Sequence, residues 1–232
     1  MGTAEQTVEV VDLTETTIRQ LNQRLHDAAD GGPQNWRITH PNGLHAIGAG
    51  INAPLEIDID GHVGYYCAGM NKEANIRIHG SAGVGLAENI MSGTVHVKGD
   101  ASQSAGATGC GGRLIIDGNA SARCGISMKG VDILVKGSVG HMSAFMAQAG
   151  TLVVLGDAGE SLGDSIYEAR LYVRGKVASL GADCIEKPMT DHHKAKLARK
   201  LAAGGTTGVD IGAFRRYGSA RRLYHFHVDN VY

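Results

Sequence analysis

Aromatic residues are scarce in this sequence, with 3 Phe, 1 Trp and 7 Tyr among 232 residues, and there are only 4 Pro. A core must therefore be built from Ala, Val, Ile, Leu and Met, which the 43% hydrophobic content allows. An excess of one charge is lacking too. Lys plus Arg number 22 against 23 for Asp plus Glu, a net charge of −1, so there is no field to draw nucleic acid or anionic lipid. Cysteine is limited to Cys67, Cys110, Cys124 and Cys184, with no CxxC pair, which argues against a disulfide framework or a zinc site. No stretch approaches the roughly 18 apolar residues of a membrane span. Met1 to Asp12 holds no basic segment followed by an apolar one, and a cytoplasmic protein is expected. GxSxG, HExxH and Walker patterns are missing as well.

What is abundant is glycine, 34 residues, roughly twice the usual share of about 7%. Gly61, Gly80, Gly99, Gly118, Gly137, Gly156 and Gly175 are spaced by 19 without a slip. The positions four before them read Ile57, Ile76, Val95, Leu114, Ile133, Leu152 and Leu171, and those two before read Ile59, Ile78, Val97, Ile116, Val135, Val154 and Val173. Alternating aliphatic positions rich in β-branched residues and stopped by Gly describe a short strand with one buried face. Two and six residues after each Gly stand mostly small residues, from Val63 and Cys67 to Val177 and Gly181, which line a narrow interior.

A 19-residue unit is too short for a βαβ crossover, whereas one strand per coil stacked on the next gives a parallel solenoid. Left-handed hexapeptide helices and nonapeptide calcium rolls have other periods. The fold expected is all-β, a single-stranded right-handed parallel β-helix of seven 19-residue coils over 55–187. The glycines are expected at corners, where positive φ is needed. An N-terminal helix and lead-in cap occupy 1–54, with a helix over Thr14 to Ala29 capped by Thr14 or Thr16 and ended at Gly31 to Pro33. A C-terminal helix, Thr190 to Ala203, and an extended basic and aromatic arm, Phe214 to Tyr232, make up 188–232.

On such a scaffold, residues 19 apart lie about 5 Å apart, so a catalytic set should show as acids, His or Arg stacked in one column. Only Asp164 and Asp183 form an adjacent acidic pair, which also fits a solvated edge. The outward series Asp60, His79, Lys98, Asp117, Lys136, Leu155 and Arg174 reads as a surface charge ladder. Cys67 and Cys124 share a column at roughly 14 Å, too far for a disulfide, and fit as small core fillers. His192, His193, His225 and His227 lack the spacing of a metal set. Gly48 to Ala53 mimics a dinucleotide fingerprint, but Pro54 and a strand follow where a helix is required. One column stands out: three before each repeat Gly, it runs Asp58, Arg77, His96, then Ile115, Leu134, Val153 and Tyr172. With Leu155, these four form an apolar strip expected to pack against the terminal helices or another subunit.

Corners such as Gly61, Gly64, Gly69 and Gly156, Gly159, Gly163 resemble the GXGXG β-helix domain that ends the large subunit of glutamate synthase, and the fold also resembles the β-helical component of formylmethanofuran dehydrogenase. GHVGYYCAGMNKEA (61–74), MSGTVHVKGDASQSAGATG (91–109), SARCGISMKGVDILVKGSVGHMSAFMAQAG (121–150), GDSIYEARLYVRGKVASLGADC (163–184) and FRRYGSARRLYHFHVDN (214–230) resemble more closely the free-standing middle subunit of bacterial N-methylglutamate synthase, a methylamine–glutamate N-methyltransferase. The resemblance implies a non-catalytic structural subunit that binds no cofactor itself. A glutaminase-like subunit and an FMN and iron–sulfur subunit would then be its partners in a hetero-oligomer making N-methylglutamate and ammonia from methylamine and glutamate. No catalytic, cofactor or metal residue carries over. Arg215, Arg216, Arg221, Arg222 and Tyr224 in the arm form a second candidate interface, since Arg and Tyr are enriched at interface hot spots; the alternative is a solvated tail ordered against its own coil. The rival functions are a subunit of another glutamate-synthase-like or formylmethanofuran-dehydrogenase-like complex, or an autonomous polysaccharide-active β-helix enzyme, which would need stacked carboxylates or bases.

Overall fold

The structure, a computed structural model, describes residues 7–221. Its core is one 11-stranded sheet. Strands β1 (Val8–Asp12), β2 (Asn35–Thr39), β3 (Glu56–Ile59), β4 (Asn75–Ile78), β5 (Thr94–Val97), β6 (Arg113–Ile116), β7 (Lys129–Val135), β8 (Ala149–Val154) and β9 (Arg170–Val173) lie side by side, all parallel. From β3 onward the register is the sequence repeat itself: Ile57 pairs with Ile76, and so on through Val95, Leu114, Ile133 and Leu152 to Leu171. A second wall is stitched by parallel bridges running Val63, Ala82, Ala101, Ala120, Val139, Ala158 and Val177. Between the walls, the inward columns read from the sequence form one continuous core that includes Cys67, Leu86, Ala105 and Cys124. The protein is a parallel β-solenoid of about seven turns.

Glycine fills its repeat position for a different reason from the one expected. Of the seven repeat glycines only Gly61 has positive φ. The others are squeezed between coils: a Cβ on Gly80 would sit 2.5 Å from the carbonyl carbon of Gly61 and 2.6 Å from its oxygen. The same collision with the preceding glycine's backbone recurs at Gly118, Gly137 and Gly156. Each amide from Gly99 to Gly175 donates to the carbonyl of the glycine one coil earlier, at 2.8 to 3.1 Å. Close backbone approach, not left-handed conformation, imposes glycine in this column. Left-handed φ occurs instead a few residues later, where Tyr66, Ser104, Arg123, Met142 and Ser161 adopt it without being glycine.

At its N-terminal end the core is covered by a helix of the chain itself. Helix α1 (Ile18–Asp27) has its N-cap at Thr17, not Thr14 or Thr16, in a capping box with Gln20, while Thr14 bonds Asp12. Its Leu21 and Leu25 are buried in the main core, and Asn22 fastens it by donating to the Ala46 carbonyl and accepting from the Gly48 amide. The sheet continues into this region, for β1 and β2 extend it by two strands that the repeat does not announce. β3 follows β2 at a spacing of 21 and β2 follows β1 at 27. At the far end β10 (Cys184–Lys187) leads into helix α2 (Asp191–Ala203), and the chain returns as β11 (Arg215–Ser219), which inserts antiparallel between β9 and β10. Thr190 caps α2, with the His193 ring as its reciprocal partner. The start of the expected arm is thus a strand.

Candidate functional site

The outward column singled out above runs unbroken across the sheet, from Val10 and Arg37 through Asp58, Arg77 and His96 to Ile115, Leu134, Val153 and Tyr172. Its N-terminal part is open. Arg37 Nε donates to Asp60 at 2.6 Å, Arg77 to Glu56 at 2.8 Å and to Asp58 at 3.4 Å, and His79 Nε2 lies 2.7 Å from Asp58. Together with Val8 and Val10, which are more than half exposed, these residues line a shallow groove of about 650 Å³. Every charged side chain in it faces an opposite or titratable partner, so the groove is self-neutralising.

The charge ladder closes on Asp117, which meets His96 at 2.9 Å, Lys98 at 3.2 Å and Lys136 at 2.8 Å. Burial works against its charged form, but hydrogen bonds from Lys136 and His96, the His96 charge and Lys98 outweigh burial and hold the carboxyl down at about 2.

Beyond Asp117 the column turns apolar and is covered. Ile115, Leu134, Val153, Leu155 and Tyr172 are buried in a second cluster with Leu197 and Leu201 of α2 and with Phe214. Lys200 of α2 pairs with Asp132 on β7. Gly204, just past the helix, lies so close to Leu134 that a Cβ there would collide with it. The strip is therefore occupied by the chain's own C-terminal helix.

The remaining candidates are dispersed. Asp164 accepts from Ser165 Oγ at 2.8 Å and from the Ala182 amide at 3.2 Å, while Asp183 pairs with Arg221, so each carboxylate is used separately to hold a turn. Cys67 and Cys124 are fully buried, and burial pushes both thiols up to about 12, which suits core fillers and not nucleophiles. His193 is committed to the α2 cap. Among the described residues, no three His, Cys, Asp or Glu side chains converge as a metal set, and no helix is long and apolar enough to cross a membrane. In the arm, Arg215 lies 3.9 Å from Glu186 and Arg216 Nε donates to the Pro188 carbonyl at 3.0 Å. Arg222 and Tyr224 lie outside the described residues, as do His225 and His227.

Reading the sequence missed the groove around Trp36 and Arg37, because β1 and β2 fall outside the 19-residue register. It also missed Arg170, although the position five before the repeat Gly, which holds Glu56 at one end and Arg170 at the other, was there to be read.

No family model matches the chain. Protein GlxC of Rhizobium meliloti (strain 1021) is 57% identical to it over 223 residues, which cover 96% of this chain and 98% of that relative. The match thus spans the solenoid and both helices of this chain. With that identity sustained along nearly the whole length of both, the chain belongs to the GlxC family.

Proposed function

We propose that the chain is a non-catalytic structural subunit of a glutamate-synthase-like complex, and specifically of an N-methylglutamate synthase that converts methylamine and glutamate to N-methylglutamate and ammonia in the cytoplasm. In this reading the chemistry belongs to two partners, one glutaminase-like and one holding FMN and an iron–sulfur cluster, and the β-solenoid keeps them in place. The observation that carries it is how the outer face uses its titratable groups. The outward acids, His and Arg from β2 to β5 are held in ion pairs between neighbouring coils, and Asp117 gathers three partners, His96, Lys98 and Lys136. The likeness of the five quoted segments to the free-standing middle subunit supports the same reading.

Native mass spectrometry of the protein purified from its own cells at low salt, with absorbance recorded alongside, is the test. Co-purification with two larger subunits and a yellow-brown flavin and iron–sulfur spectrum is the expected result. A colourless oligomer of this chain alone that turned over an amine or a polysaccharide would overturn it.

A further inference from the structure

The outer face of the last coil carries positive charge that exceeds the negative charge around it among the described residues. Outward positions of β9, β11 and β10 bring Arg170, Arg216 and Lys187 to one groove of about 350 Å³, with Glu168 as its acid and Arg221, already paired with Asp183, at its rim. Among the described residues none of Arg170, Lys187 and Arg216 has an ion-pair partner. The cations crowd one another. Burial, and then Arg170, lowers the pKa of Arg216 against the opposing effect of Tyr172. On the neighbouring helix, His193 is lowered by burial and then by Arg216, His192 and Arg170, and Lys196 by burial and then by Arg170 and Lys200.

Arg216 pairs across the strands with Tyr172, whose buried hydroxyl has no hydrogen-bond partner among the described residues and lies in the field of both Arg170 and Arg216. The opposite groove, where each Arg faces a carboxylate, shows that this fold can pair such charges internally when nothing else is to bind them.

We propose that this groove is a docking site for an acidic segment of a partner protein, whose carboxylates bridge Arg170, Arg216 and Lys187; the proposal rests on the reading of the chain as an assembly subunit. Three adjacent strands span about 10 Å, and an extended peptide laid across them presents a side chain to the same face about every 7 Å, so two alternate carboxylates can bridge the three cations. A nucleic acid needs a longer basic surface than a chain of net charge −1 offers here.

The test uses the full chain and a fluorescein-labelled hexaglutamate peptide, followed by anisotropy at low salt. Saturable binding is expected, weakened at least tenfold in the Arg170→Glu/Arg216→Glu double variant and within twofold of wild type in Arg37→Glu/Arg77→Glu, the same charge change in the opposite groove. Arg170→Gln/Arg216→Gln, verified as folded by circular dichroism, serves if charge reversal disrupts the end of the sheet, with the same loss expected. Absence of saturable binding, binding that these variants leave unaltered, or inorganic phosphate binding as tightly as hexaglutamate would each overturn the proposal. In cells, the double variant should lose one partner subunit from the complex. Should the wild-type chain carry no partners at all, the assembly reading fails by itself, and the peptide titration still decides what the groove binds.

Discussion

Two stretches of one outward column, in the same sheet and the same register, meet opposite fates. From β2 to β5 it holds Arg37, Asp58, Arg77 and His96, stays open to water and balances its charges across coils. From β6 to β9 it holds Ile115, Leu134, Val153 and Tyr172 and lies beneath α2. Along the column itself the strands pair in the same parallel register, so the difference there is made by the side chains. Burying each large apolar side chain contributes about 1.5–3 kcal/mol, whereas an exposed ion pair contributes about 0–1 kcal/mol. The covered half therefore supplies adhesion and the open half supplies solubility. Asp117, with lysines from the coils on either side, stands at the border.

The largest expected effect comes from making the covered half resemble the open one. Leu134→Asp would bury a carboxylate under α2 with no partner, costing about 3 kcal/mol or more. Urea unfolding should show the loss, and limited proteolysis should cut within α2; an unchanged midpoint and an uncut helix would mean that α2 does not depend on the strip. Next is a change that ought not to distinguish the halves. Gly80→Ala and Gly156→Ala each drive a Cβ into the glycine backbone of the preceding coil and should cost about 2–3 kcal/mol alike, and a clear inequality in thermal unfolding would show that the two halves stack differently.

At the border, Asp117→Asn should cost on the order of 1 kcal/mol at neutral pH. Because the folded carboxyl is depressed to about 2 from an ordinary value of 3.8, its contribution is complete above about pH 4 and is lost as pH falls toward 2. The variant and the parent should therefore converge in acid, and a gap that persists at pH 2 would assign the effect to packing. Smallest is Arg77→Ala in the open half, expected within about 0.5 kcal/mol because its two carboxylate partners stay hydrated. A larger loss would mean that the open face is more tightly organised than its exposure suggests.

Much of this architecture was legible in the sequence because a solenoid repeats its environment. Ile57, Ile76 and Val95 occupy equivalent sites, so the same demand is written once per coil. The strip from Ile115 to Tyr172 was legible by the same logic, as a column that changes character midway. β1 and β2 were not, since the insertion of α1 between them and the longer loop after β2 break the period although the strands still pair in register. Nor was β11 legible, because its position between β9 and β10 depends on a return of the chain after α2 that no local pattern encodes. The basic groove escaped for that reason: Arg170, Lys187 and Arg216 are far apart in sequence and meet only when β11 inserts.

The sequence by itself determined the coil length, the inward columns, the two helices and the apolar character of the strip, all of which follow from periodicity and local propensity. Only the tertiary structure decided that the repeat glycines answer to the backbone of the coil before them, that α2 covers the strip and that three strand ends gather their cations in one groove. Those outcomes depend on which non-local surfaces touch, and a one-dimensional pattern does not specify that until the chain has closed on itself.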